Sequence, residues 1–484
     1  MEEIIKLLEG GEPAKAITQL TAAEKDATII EELRKEFTEV DRTLRKTQIG
    51  ELQKDKIIKG AKVSAVRIPI PFQNKIVTTA TAFEVGEPVT LVPEILGSEN
   101  NRNDLTDEII RLFKASRLDD KFQKAIMLKK SELQCAILFY IEPIDKKDVY
   151  NTPVGDGRKK EIKSKILENK HGKMAPFFDG FGDMKAFVWQ FETIENQKTI
   201  TNIWVYTDTL VYKLSNRTGT IAIDSKDEHE FSKIPVVYFS QDRPEWYVAQ
   251  TMIDRLEVAM SRLGASNDYS GHPILKLYGD VQGAPDRDED GKALRFNMVE
   301  DELNPGKFNH GDAAFLTHDG APEAVKEELD RLEKYIYSLT STPDISFDNL
   351  KSLGDISGIA IKLMFLDALM KAKLNEGANR TAMERIISIL VSGIVTTTIT
   401  KLKREATKTF FSIQFNSILP DDLQSSIETY ARGVEAGIVS VERAVADLDM
   451  TGDAKKELQD IISGQERRAK LKQTEPTPPA PDDI

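Results

Sequence analysis

One spacing constrains this chain more than any other. Val325, Leu329, Leu332, Ile336 and Leu339 follow one another at four, three, four and three residues. That 3.5-residue repeat is the seam of a helix lying along a nearly parallel partner, and Pro322 sits at a first-turn position for it. A candidate partner lies upstream in EWYVAQTMIDRLEVAMSRL, residues 245–263. There Val248, Met252, Leu256 and Met260 share one helical face, with Pro244 just before the start. Between the two helices, residues 272–320 read as a compact strand-and-turn module. A small domain carried at the end of a helical pair is the simplest geometry for that order.

The stretch TSTPDISFDNLKSLGDISGIA, 340–360, interrupts the helical region, and a helix pattern resumes with SGIAIKLMFLDALMKAKLNEGANRTAMERIISILVSGIVTTT. Pro343 ends one helix, and Asp355 or Ser357 is placed to cap the next. Forty continuous helical residues would reach about 60 Å, and Gly377 between Asn375 and Asn379 is the expected kink.

Elsewhere the pattern alternates. EEIIKLLEG and ATIIEELRKEFTEVDRTLRK open the chain as helices. AKVSAVRIPIPF, KIVTTATAFEVG and PVTLVPEIL predict short strands. A helix follows in DLTDEIIRLFKASRLDDKFQKAIMLKK, capped by Asp104 or Thr106. LQCAILFYIEP, KAFVWQFETI, ITNIWVYTDTLVYKLS and KIPVVYFS predict further strands, which makes residues 1–243 a mixed α+β region. The C-terminal part reads as a helix from about Asp421, the turn EAGIVS with Ser440 as a cap, another helix, and a disordered tail over 471–484. No fixed-period repeat is present.

At 484 residues the chain is too long for one core. It holds no run of eighteen apolar residues, so no membrane helix is expected. The opening MEEIIKLLEGGEP lacks the basic start and apolar core of a signal peptide. The single cysteine, Cys135, lies in an apolar run and reads as a buried strand residue of an intracellular protein. Net charge is −13. Tight nucleic-acid binders gain affinity from basic surfaces, so a sequence-reading DNA binder is disfavoured, whereas a surface past which DNA moves is not.

Sites of chemistry are sparse. Asp286, Asp288, Asp290 and Gly291 match four positions of a calcium loop, but Asn297 stands where a bidentate glutamate belongs. An acidic turn is the simpler account. His310 and His318 lack metal-ligand spacing, and GDG (155–157) and DGFGD (179–183) read as turns. No nucleophile elbow or phosphate loop is present, so no enzyme activity, no cofactor and no metal are expected. The rival expectation is an intracellular enzyme or ligand-binding protein with its site in the α+β region 60–243.

Several phrases in order resemble the portal proteins of tailed double-stranded-DNA bacteriophages. KIPVVYFSQDRPEWYVAQTMIDRLEVAMSRLGASNDYSGHPILKLYG is similar to the approach to the family's first stem helix and clip. STPDISFDNLKSLGDISGIAIKLMFLDALMKAKLNE is similar to its loop and long helix. RIPIPFQNKIVTTATAFEVGEPVTL resembles its early wing strands, and FNSILPDDLQSSIETYARGVEAGIVSVERAVADL its crown. The likeness covers about residues 60–465, and residues 1–50 match nothing specific.

The resemblance implies an α+β portal-type subunit: a mixed α+β wing over 1–243, a stem of two helices (244–271 and 321–342), a small α/β clip (272–320), a tunnel loop (343–356), a long kinked wing helix with a closing strand (357–419) and a helical crown (420–470). It implies a dodecameric ring at one capsid vertex, in the virion and in the host cytoplasm during assembly. The ring would conduct double-stranded DNA during packaging and ejection and nucleate the procapsid. Its partners would be the terminase large subunit, head-completion or adaptor proteins, and major capsid and scaffolding proteins. Asp344, Ser346, Asp348, Asn349, Lys351, Ser352 and Asp355 would then face DNA. Arg255, Arg262, Lys326, Arg331 and Lys334 would meet DNA or pair with acids such as Glu257 and Asp330 within and between subunits. The clip segment carries five Lys/Arg against ten Asp/Glu, which suits a conduit that does not hold its cargo.

Overall fold

The computed structural model describes residues 2–38, 55–58, 61–98, 102–144, 159–270, 274–278, 281–282, 295–296, 299–301, 303–309, 312–316, 322–344, 363–418, 423–448 and 454–473. The chain divides into two units, Met1–Leu350 with Phe365–Ile418, and Lys351–Met364 with Leu419–Ile484.

The first unit opens with α1 (Glu2–Glu9), α2 (Pro13–Leu20) and α3 (Ala27–Phe37). Asp26 caps α3 by accepting from the Thr28 amide at 2.8 Å. A short hairpin, β1 (Lys56–Ile58) and β2 (Ala61–Val63), precedes α4 (Phe72–Val85). Here an expectation fails: KIVTTATAFEVG is helix, not strand. Burial of Ile76 and Val77 against later helices outweighs β-branched propensity. The hydroxyls of Thr78 and Thr81 bond the carbonyls of Asn74 and Val77 at 2.8 and 2.7 Å, which accommodates threonine in the helix.

After β3 (Thr90–Ile95) come α5 (Asp104–Ala115) and α6 (Leu118–Glu132). The cap of α5 is Asn103, not Asp104 or Thr106. Thr106 is the reciprocal partner three residues on, with both bonds of the capping box at 2.9 Å.

The sheets explain the long apolar runs. β4 (Gln134–Pro143) pairs with β5 (Lys160–Leu167). A meander follows: β6 (Lys173–Phe178), β7 (Met184–Glu195), β8 (Lys198–Tyr206), β9 (Leu210–Ser215) and β10 (Ala222–Glu228), all antiparallel. β11 (Val236–Ser240) completes the first sheet in the order β11-β4-β5. In β4, alternate residues Cys135, Ile137 and Phe139 join the core under α5 and α6, while Ala136 and Leu138 meet Phe187, Trp189 and Tyr206 of the meander. Both faces of β4 are covered, so the run carries no polar alternation. The far face of the meander, with Ala186, Val188, Ile203, Val205 and Leu214, is covered by Ile4, Leu8, Ile17 and Leu20 of α1 and α2. That is the role of the opening segment.

The helical pair follows. A single 3-10 turn, Tyr247–Ala249, leads into α7 (Gln250–Ser270). Among the described residues, three antiparallel ladders stand between it and the next helix. Their strands are β12 (Ile274–Tyr278), β13 (Val281–Gln282), β14 (Arg295–Phe296), β15 (Val299–Glu300), β16 (Phe308–Asn309) and β17 (Asp312–Leu316), with β12 on β17 closing the module. α8 (Pro322–Thr340) then returns along α7.

α9 (Leu366–Gly393) is 28 residues long and runs unbroken through Gly377. The flanking Asn375 and Asn379 spend their amides on Glu84 at 2.6 and 3.2 Å. The irregularity lies instead at the C-terminal end, in a π turn at Ile394–Thr398. β18 (Thr409–Gln414) returns to pair with β3.

In the second unit, α10 (Leu423–Glu435), α11 (Val441–Leu448) and α12 (Ala454–Gln473) are all helical. Ser440 caps α11 as expected, its hydroxyl accepting from the Arg443 amide at 3.1 Å. The Tyr430 hydroxyl donates to Asp447 at 3.1 Å and ties α10 to α11. α12 continues to Gln473, past the tail boundary expected at 471.

Candidate functional site

The seam predicted on α8 is where the helical pair meets the body. Ile336 is fully buried, and Leu329 and Leu332 pack beside Ile253, Leu256, Met252 and Met260 of α7. The end residue Leu339 is not part of the seam, at 52% exposure. Trp246, 1% exposed, stacks on Phe37 with ring centroids 6.5 Å apart and anchors the turn before α7. The extended segment before α4 lies along α7. The Glu257 carboxylate accepts from the Ile70 amide at 3.0 Å, and Ser261 Oγ accepts from the Ile68 amide at 2.9 Å.

At this joint an ion quartet is built that the sequence did not announce. Lys130 of α6, 1% exposed, donates to Glu84 of α4 at 2.7 Å and to Glu245 at 3.0 Å. Lys371 of α9 donates to the other oxygen of Glu245 at 2.5 Å and to the Thr340 carbonyl at 2.7 Å. Lys371 therefore joins the residue leading into α7 to the last residue of α8, where the helix dipole favours a cation. Burial opposes charge on Lys130, yet Glu84 and Glu245 outweigh it and raise its pKa. Burial likewise opposes charge on Glu245, and Lys130 and Lys371 hold its carboxyl below the usual glutamate range. Two acids and two lysines leave the cluster neutral, and all four side chains are held in place.

The expected contact residues fall in different places. Of the loop set, only Asp344 is described; it is half-buried, next to the joint, and its charge helps raise the pKa of Tyr337, for which burial is the main cause. Ser346, Asp348, Asn349, Lys351, Ser352 and Asp355 lie outside the described residues, as do Asp286, Asp288 and Asp290. Arg255 pairs with Glu328 at 2.7 Å, bridging α7 to α8. Arg331 pairs with Glu327 one turn back along its own helix. Glu257 is buried and accepts from the Ile70 amide. Arg262, Lys326 and Lys334 are exposed and enter no ion pair among the described residues.

The rival region carries clefts whose charges are spent locally. One, of about 540 Å³, is lined by Arg34, Lys170, His171 and Lys173, of which Arg34 pairs with Glu31, Lys170 with Glu168 and Lys173 with Glu24. Cys135 is fully buried, its thiol pKa pushed up chiefly by that burial. His229 bonds the Thr207 carbonyl at 2.9 Å, and its pKa is lowered mainly by burial. In DGFGD, Asp179 accepts from the amides of Phe181 and Asp183 at 2.9 Å, the turn that was expected.

Two helices with a strand module between them in the chain are thus joined to an α+β body through a buried ion quartet. The chain belongs to the phage portal protein family, SPP1 Gp6-like, whose family model matches residues 29–471. No curated protein matches the chain. Among solved structures, the neck of an empty GTA particle computed with C6 symmetry matches with a TM-score of 0.40 at 11% identity, covering 78% of this chain and 90% of that one. The neck of a native GTA particle computed with C12 symmetry gives a TM-score of 0.37 at 10% identity, covering 78% and 89%.

Proposed function

We propose that the chain assembles as a homo-oligomeric ring, a dodecamer, at the unique capsid vertex of a phage particle. The ring conducts double-stranded DNA inward during packaging and outward during ejection. It docks the terminase large subunit, then head-completion or adaptor proteins, and it nucleates assembly with capsid and scaffolding proteins. In this reading α7 and α8 are the stem, residues 272–320 the clip, 343–356 the tunnel loop, 420–470 the crown, and residues 1–243 with 357–419 the wing.

The observation that carries the reading is the family match across residues 29–471, which spans both stem helices and the module between them. The acidic balance of the clip segment supports passage without capture, since each phosphate contact would add to a salt-dependent hold. Asp344, Ser346, Asp348, Asn349, Lys351, Ser352 and Asp355 line the narrowest part of the channel, and Arg262, Lys326 and Lys334 meet phosphates or neighbouring subunits. Neutralising Asp348, Lys351 and Asp355 together changes packaging or retention of DNA while rings still form. Normal DNA filling by that variant, combined with loss of folding, would make the loop a connector only.

A further inference from the structure

The C-terminal end of α9 is held by a strap. Residues 229–234, between β10 and β11, run antiparallel to the helix and bond it turn by turn. The Glu230 carbonyl accepts from the hydroxyls of Thr396 and Thr397, in the π turn, at 2.8 and 3.1 Å. The Ser232 amide donates to the Ser392 hydroxyl at 3.0 Å. Lys233 donates to the Ser388 hydroxyl at 2.6 Å, and Arg385 donates to the Ile234 carbonyl at 2.9 Å. Phe231, 3% exposed, packs beside Gly393. The opposite half of α9 is bound separately, through Asn375 and Asn379 to Glu84 and through Lys371 to Glu245.

One imidazole shapes the strap. Glu230 has a φ of 63°, in the left-handed region that a non-glycine residue adopts only under constraint. The constraint is local: the Phe231 amide donates to His229 Nδ1 at 3.2 Å and closes a turn around Glu230. Nδ1 therefore presents a lone pair and carries no proton. The one proton of the neutral ring lies on Nε2, which donates to the Thr207 carbonyl at 2.9 Å. With both nitrogens committed, a second proton can enter only where the Phe231 amide now donates. We propose that His229 is a proton-operated pin: a proton taken up on Nδ1 expels the Phe231 amide, opens the turn at Glu230 and frees the π-turn end of α9. The pin belongs to the single subunit and stands whether or not the chain closes into a ring.

The surroundings set the direction of the switch. The ring lies in the field of Asp208, in the turn before β9, with Glu228 and Glu230 on either side in sequence and Lys160 of β5 paired to Glu230. Residues 386–400, in the helix and its π turn, carry no titratable group. Burial is the main force against charge on the ring, and it outweighs the Thr207 carbonyl and Asp208, which favour one. The pinned form is thus fully present above the ordinary 6.5 and is lost as pH falls through the lower folded value.

The test is amide hydrogen exchange on the full-length protein, read by mass spectrometry and corrected for the intrinsic pH dependence of exchange. Between about pH 8 and about pH 5, which brackets histidine titration, amides at 229–234 and 392–400 should become severalfold less protected, while those of α5 hold. His229→Asn keeps an acceptor for the amide two residues on but takes up no proton, so protection of both segments should not change with pH. Thr396→Val with Thr397→Val removes the donating hydroxyls and should leave the π turn as open at the higher pH as wild type is at the lower. Exchange of the histidine C2 hydrogen in the wild type locates the His229 titration directly, and the opening should follow it. The pin is overturned by an Asn variant that opens in acid as wild type does, or by a double valine variant that stays closed at the higher pH. It is equally overturned by a wild type that does not open, or that opens before His229 titrates.

Discussion

Lys130 concentrates the energetics of the joint in one side chain. With Glu84 and Glu245 within 3.0 Å, its removal leaves two buried carboxylates with fewer cations. Lys130→Met should therefore cost about 3–5 kcal/mol of stability, the range for breaking a buried pair from one side, measured by urea unfolding. Lys371→Met should cost less, because Glu245 keeps Lys130. The quartet also sets a pH window. Glu245 is held below its ordinary 4.5, so its contribution is present above that pH and is lost as pH falls through the folded value. Lys130 is held above its ordinary 10.5, so its contribution is present below that pH and is lost as pH rises through the folded value. Melting temperature should fall on both sides of that window, and less steeply in a Lys130→Met background; identical pH profiles would remove the quartet from the account.

At the scale of elements, packing at one glycine fixes how the long helix meets the first sheet. A Cβ on Gly393 would lie 2.7 Å from Ile162 Cδ1 and from the Phe231 ring. Gly393→Ala should lower stability by about 1–3 kcal/mol through overpacking, again read from urea midpoints. Leu8→Ala or Leu20→Ala should cost about 2–5 kcal/mol, because α1 and α2 cover one face of the meander. Much of this organisation was legible beforehand. The 3.5-residue spacing on α8 gave the helical pair, the apolar runs around Cys135 and Trp204 gave strands, and Ser440 gave a cap. What failed did so for tertiary reasons. KIVTTATAFEVG reads as strand by local propensity, yet its Ile76 and Val77 are claimed by α7 and α8. Gly377 has open space around it, so nothing bends the helix there. The ion quartet was illegible because its members, at 84, 130, 245 and 371, carry no mutual spacing. Charged residues scattered along a sequence read as solvated faces until the fold buries them together.

At the scale of the molecule, the α7–α8 pair is rooted in the body through Glu245 and Thr340, both held by Lys371. The exposed pair Arg255–Glu328 contributes little to that joint, well under about 1 kcal/mol as exposed pairs do. Its loss should leave melting unchanged. The most direct test is an electron-microscopy reconstruction of the purified full-length protein. A closed ring with an axial channel walled by α7 and α8, and residues 343–356 at its narrowest point, is the predicted result. Discrete monomers under assembly conditions, or a ring whose channel is walled by other elements, would contradict it.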